Sequence, residues 1–223
     1  MTANSFQRPE VTSRYSTVQM IRDAGKLVMN VENIIDQATS SEYSNGLDWY
    51  YIASRQCQTI ADHYGVTFSK VVGIVAALSP GCQWDKNILD AIAILEHGTS
   101  AVVSTYGANK SKALSILENG DVGVLGGRKV LSFYQNILNP HQDNKVTCDR
   151  HAANAAADWY QEHSPQKFLK GSKYSIIETA YFTAARARGI QGHQAQAIAW
   201  LVYKRIFSSK TDAVYSFPDW LNN

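Results

Sequence analysis

Apolar residues recur along this chain at every third or fourth position, in runs cut by glycine, proline and asparagine. That spacing fits one face of an α-helix and offers no convincing pair of strands. Val18, Ile21, Val28, Val31, Ile34 and Ile35 mark a first helical stretch, and Leu47, Tyr50, Ser54, Cys57, Ile60, Ala61 and Tyr64 mark a second, closed by Gly65. Val71, Ile74, Val75 and Leu78 form a short buried helix that Pro80-Gly81 ends, and periodicity resumes over Asn87 to Glu96 until His97-Gly98. Further helical segments run over Lys110 to Glu118, Lys129 to Leu138, Arg150 to Tyr160, Ser175 to Ala187 and Gln194 to Ile206. They are broken at Asn119-Gly120, Asn139-Pro140, Ser164-Pro165 and Gly189. The expected fold class is all-α, a compact array of roughly eight to ten helices of ordinary length. No fixed-period repeat, low-complexity stretch or linker interrupts it, so residues 1–223 read as a single helical domain, with N-terminal helices over 14–64 packed on a core over 66–207. The polar stretch Ser164 to Lys173, carrying Lys167, Lys170 and Lys173, reads as a mobile loop.

Composition narrows the function classes. With 45% apolar and 18% charged residues and only five prolines, the chain has the makings of a packed core and not of a disordered tail. A formal charge of +2 means that a nucleic-acid partner has to be met by a local basic face. Cys57, Cys82 and Cys148 are odd in number, widely spaced and without a Cys-x-x-Cys pair, which argues against a disulfide framework, a zinc site or an iron–sulfur cluster. They read as buried intracellular thiols. Met1 to Pro9 is polar, and no later run is apolar enough for a membrane span, so a cytoplasmic protein with no membrane partner is expected.

Three segments carry chemistry in their order. The first is Ala76-Ala77-Leu78-Ser79-Pro80-Gly81-Cys82-Gln83-Trp84-Asp85-Lys86-Asn87, an apolar helix end, a small-residue turn and a polar restart. The second is Gly107-Ala108-Asn109-Lys110-Ser111-Lys112-Ala113. The third is Gly126-Gly127-Arg128-Lys129-Val130, then a helix, then Val146-Thr147-Cys148-Asp149-Arg150-His151. A Gly-Gly turn leaves backbone N–H groups at a helix start free of side-chain cover, where a phosphate can sit, and Arg128 and Lys129 add positive charge there. The plainer reading of that turn is a helix–helix connection, and that of Asp149 is a helix N-cap.

Together the segments resemble the helix-hairpin-helix DNA glycosylases of the endonuclease III type. The first is similar to the family's Leu-Ser-x-Gln-Thr-x-Asp-x-x-Asn region, the second to its Gly-x-x-x-x-Lys-Ala segment, and the third to its Gly-Arg-Lys-Thr-Ala hairpin exit followed by Val-Asp-Thr-His. The resemblance covers roughly Val66 to Asn154, so a glycosylase-like arrangement is expected for the core over 66–207.

The resemblance implies an enzyme that cleaves the N-glycosidic bond of a damaged or modified base in DNA, single-stranded or duplex. It makes Asp149 the carboxylate that stabilises an oxocarbenium-like sugar. It places Lys129 where bifunctional members carry the amine that attacks C1′ and gives lyase activity. The other reading of Lys129, a partner for Asp149 or for a phosphate, stands beside it. Gly126, Gly127 and Arg128 would seat a phosphate, and Arg150 would flank the same site. Trp84, Asp85 and Asn87 would read a flipped base, with Gln83 as the wedge that fills the vacated stack, although a Trp beside a turn is often plain packing. His151 is expected to cap or orient Asp149 by a structural hydrogen bond. Tyr181, Trp200 and Tyr203 read as core, and Arg186 and Arg188 as part of a basic rim.

The chain departs from the family in one respect that matters for substrate. Lys112 to Lys129 is too short for both the Lys-Ala helix and a separate first hairpin helix, so the bridge Gly120 to Leu125 stands in its place. A shortened hairpin weakens the usual duplex grip and leaves room for a single-stranded, modified-base or free-nucleotide substrate, including the hypermodified pyrimidines that phage-type relatives process. The C-terminal cysteine cluster of many relatives is absent, and no cofactor is expected. Two other classes remain open on the sequence: a non-catalytic DNA-binding module on the same scaffold, and a helical structural protein without a nucleic-acid role.

Overall fold

A computed structural model describes residues 17–157, 171–207 and 215–221. Among them are ten α-helices and no strand: α1 (Thr17–Arg22), α2 (Ala24–Ile35), α3 (Ser40–Tyr64), α4 (Phe68–Leu78), α5 (Trp84–His97), α6 (Gly107–Asn119), α7 (Arg128–Leu138), α8 (Arg150–Ala157), α9 (Ser172–Ala187) and α10 (Gly192–Phe207). The all-α class expected from periodicity is what the molecule adopts.

Several boundaries differ from the expected ones for local reasons. The first stretch breaks at Asp23 into α1 and α2, and Val18 and Ile21 are exposed while Met20 turns inward. α3 starts at Ser40, two turns before the apolar run. Thr39 closes a capping box there, its hydroxyl accepting from the Glu42 N–H while the Glu42 carboxylate accepts from the Thr39 N–H. α9 begins at Ser172, so Lys173 is helical, whereas the expected loop from Ser164 to Lys170 and the last residues of the Arg150 to Tyr160 segment lie outside the described residues. Between α6 and α7 the bridge holds only a three-residue 3-10 turn, Val122–Val124, as the short spacing requires.

The core falls into two clusters, which define two lobes. In the first, α4 is buried along its whole run from Val71 to Leu78 and is surrounded by α3, α5, α6 and α7. In the second, α2, α8, α9 and α10 meet through alanines and tyrosines such as Ala152, Ala156, Tyr174, Tyr181 and Ala184. α3 and α10 belong to both, and they approach so closely that a Cβ on Gly46 would stand 2.4 Å from Ile198 Cγ1 and 2.7 Å from its Cα. Glycine at 46 is therefore what lets the two lobe-spanning helices touch. A second tie is Arg128 at the start of α7, whose guanidinium donates to Glu178 (2.5 Å) and Ser175 (2.6 Å) of α9 and lies over the Tyr174 ring.

Candidate active site

Between the lobes lies a cleft with a cavity volume of about 130 Å³, partly open to solvent. Its lining comes from five places in the chain. α3 supplies Trp49 and Tyr50, the α4–α5 turn supplies Ser79, Cys82, Trp84 and Asn87, and α7 supplies Lys129 and Phe133. The segment before α8 supplies Thr147 and Asp149, and α10 supplies Gln196, Ala197 and Trp200.

Asp149 is held by the segment that carries it. Val146 and Cys148 are buried in the second lobe while Thr147 and Asp149 line the cleft, and two consecutive γ-turns shape the segment, the Cys148 and Asp149 N–H groups donating to the Val146 and Thr147 carbonyls at 3.0 Å each. The segment is clamped from α9: Glu178 accepts from the Val146 N–H (3.2 Å), and the Tyr174 hydroxyl donates to the Val146 carbonyl (2.7 Å) and accepts from the Cys148 N–H (3.1 Å). Arg128 in turn holds Glu178, so it acts through this clamp and not as a free phosphate ligand.

The Asp149 carboxylate does two things at once. Oδ1 accepts from the Ala152 N–H at 2.8 Å, the N-cap of α8, while Oδ2 stands 3.4 Å from His151 Nδ1. Its side chain keeps about a quarter of its surface exposed. Burial pushes the carboxyl up, but the nearby His151, the charge of Lys129 and the Ala152 N–H pull harder, and the net effect holds it below the ordinary carboxylate range. An acid so placed is a standing anion. It is suited to stabilising positive charge and ill suited to donating a proton.

Lys129, on the first turn of α7, brings an amine to the same cleft; among the described residues no hydrogen-bond acceptor or carboxylate holds its Nζ. Trp49, Trp84, Phe133 and Trp200 make an aromatic wall, with Trp49 and Trp84 edge to face at 5.0 Å. Trp84 also donates from Nε1 to Gln56 Oε1 at 3.0 Å, so it packs as well as lines. Behind the wall runs a polar chain: Asn136 Nδ2 is 3.1 Å from Thr147 Oγ1, which is 2.9 Å from the Tyr50 hydroxyl, which is 3.0 Å from Gln196 Oε1. Burial raises the Tyr50 phenol above its ordinary value, and the bonds to Thr147 and Asn136 oppose this, so the group stays protonated.

Of the residues singled out on the sequence, Trp84, Asn87, Lys129 and Asp149 meet in this cleft, and His151 adjoins it through Asp149. Gln83 is the N-cap of α5 and Asp85 sits in its first turn, neither lining the cleft. Gly126 and Gly127 are exposed at the entry to α7, where Gly127 has φ +81° and no side chain caps the helix; a Cβ on Gly126 would be 3.6 Å from Lys112 Nζ. Arg150 is exposed beside the His151 ring. Arg188 is tied to Glu32 and Asp36, which withdraws it from a basic rim. Tyr181 and Tyr203 are core, but Trp200 is a cleft residue with Lys204 Nζ 4.4 Å from its ring centroid. Trp49, Tyr50, Phe133, Thr147 and Gln196 were not legible as site residues.

Among the described residues no group of three or more His, Cys, Asp or Glu side chains is placed to hold a metal ion. No helix of the described residues is long and apolar enough to cross a membrane. Fold and site define an all-helical, two-lobed protein with a charged aromatic cleft at the lobe junction. Residues 16–207 match the model of DUF7178, a family of unknown function, and the chain belongs to that family. Comparison with curated proteins and with solved structures gives no match.

Proposed function

We propose that the cleft is the active site of a DNA glycosylase-like enzyme, which breaks the bond between a damaged or modified base and its sugar. The observation that carries this reading is that Asp149 and Lys129, distant in sequence, line one cleft with Trp49, Trp84 and Trp200. Aromatic walls with a few fixed polar groups are how proteins take up a flat ligand. An extruded base would enter the aromatic slot. As the C1′–N bond breaks and its electron pair leaves with the base, positive charge grows on the sugar, and the Asp149 anion stabilises it. In a lyase course Lys129 passes one proton to the departing base and its free amine bonds to C1′; the C1′–O4′ bond then breaks with its electron pair on O4′, which takes one proton from the nitrogen, leaving the open sugar as a protonated imine. The uncapped start of α7, with Lys112 near Gly126, would receive a backbone phosphate.

The test is base release from oligonucleotides carrying a panel of modified bases and abasic sites, with wild type beside Asp149→Asn. Asparagine keeps the α8 cap and removes the charge, so the variant is expected to lose roughly 10²–10³-fold in rate with its fold intact. Release by wild type and the variant at equal rates would overturn the assignment of Asp149, and a protein that binds DNA but releases no base from any of these substrates would be a binding module.

A further inference from the structure

Asn87 is 1% exposed and lines the cleft from α5. Its Nδ2 donates to the Val75 carbonyl at 3.0 Å, which fixes the amide plane and leaves Oδ1 with no hydrogen-bond partner among the described residues. A buried carbonyl oxygen without a donor is rare, because it has given up water and gained nothing. Here the oxygen belongs to a residue that borders an open aromatic slot.

On α10, which also lines the slot, the polar chain prepares the opposite kind of group. The Tyr50 hydroxyl, 2.9 Å from Thr147 Oγ1, donates to Gln196 Oε1 at 3.0 Å. That bond orients the Gln196 amide. Its oxygen is taken, and its Nε2 is left as a donor with no partner among the described residues. One wall of the cleft thus offers a fixed acceptor and another a fixed donor.

We propose that Asn87 Oδ1 and Gln196 Nε2 are a recognition pair for a flat nitrogen heterocycle, with Asn87 accepting an N–H of the ring or of its exocyclic amine and Gln196 donating to a ring acceptor. The inference rests on the glycosylase reading only for the expectation that this heterocycle is a nucleobase; the requirement for an N–H comes from Asn87 alone. A ligand stripped of that hydrogen leaves the buried oxygen unpaired and is rejected. The roles differ from those at Asp149 and Lys129, which face the sugar and the bond that breaks.

The probes are thymidine with its N3-methyl derivative and deoxycytidine with its N4,N4-dimethyl derivative, titrated at millimolar concentration against the full chain and followed by the fluorescence of the cleft tryptophans. At least one parent nucleoside is expected to bind, and methylation to weaken it at least tenfold. In Asn87→Ala, or in Asn87→Ser should the alanine variant not fold, parent and methylated probe are expected to bind alike. Methylated probes that bind wild type as well as their parents, a methylation penalty that survives in the variant, or no binding by either parent would overturn the pair. Base release from DNA without any dependence on the N–H leaves the glycosylase reading standing and removes this one, and N–H-dependent binding without base release from any DNA does the reverse.

Discussion

The two lobes are built by different means. The first is a conventional apolar core, with α4, buried from Val71 to Leu78, contributing Val71, Val72, Ile74, Val75 and Leu78 against Ile88, Ile94 and Ile116 of its neighbours. The second relies on alanines, which let helices approach closely, and on buried tyrosines, whose hydroxyls need partners and find them. Tyr181 donates to the Ala152 carbonyl at 3.1 Å and Tyr174 to that of Val146 at 2.7 Å. The first lobe is held by bulk and the second by geometry. The site divides along the same line: lobe one gives the aromatic wall and the Lys129 amine, and lobe two gives Asp149, set by a segment that buried hydrogen bonds clamp in place. If Asp149 has the proposed role, the residue that needs a fixed position sits on the lobe whose packing is directional.

Substitutions should separate the two modes. The largest effect is expected in lobe one, where Ile74→Ala leaves a cavity under full burial and costs about 2–5 kcal/mol in a denaturant titration. A cost below that of Tyr181→Phe would erase the contrast. At the junction, Gly46→Ala drives a Cβ into the Ile198 backbone and is expected to cost about 1–3 kcal/mol. If stability is unchanged, α3 and α10 do not hold the lobes as described. In lobe two, Tyr181→Phe removes one hydroxyl and leaves the Ala152 carbonyl short of a donor, a loss of about 1–2 kcal/mol with little change in volume.

The smallest effect is a pH dependence. Burial lowers His193 below its ordinary value, against the opposing bond to the Pro140 carbonyl and the charge of Asp143. The unfolded chain therefore binds a proton there more readily than the folded one, and stability falls as pH drops below about 6.5. Asp149 has the same sign in a lower window. Its depressed folded value stabilises the fold above the ordinary carboxylate range, and that contribution is lost as pH falls through the folded value. Thermal melts of wild type and His193→Gln from pH 7.5 to 5 should show a slope that the variant flattens; parallel slopes would contradict the assignment.

Helices were legible because their signal is local: α4, α5, α7, α9 and α10 appear within a few residues of where the periodicity puts them. The start of α3 was also written in the chain, as Thr39 and Glu42 three residues apart, but an apolar run beginning at Leu47 hid it. The division into two lobes was not legible, since nothing local says which face of α3 or α10 meets which neighbour. Trp200 shows the cost, for helical spacing alone assigned it to the core although α10 has one face on each lobe and a third side on the cleft. Asp149, Lys129, Trp84 and Asn87 came from motif order. The chain from Asn136 through Thr147 and Tyr50 to Gln196 could not, because Tyr50 and Gln196 are 146 positions apart.

The most direct test of the central claim, that Asp149 and Lys129 work on one sugar in one cleft, is borohydride trapping on an oligonucleotide with an abasic site. The account predicts a covalent protein–DNA adduct with wild type that is lost in Lys129→Ala and slowed in Asp149→Asn while both variants stay folded, Asp149→Asn melting a little lower because the stabilising charge is gone. An adduct that persists undiminished in Lys129→Ala would place the nucleophile elsewhere and contradict it.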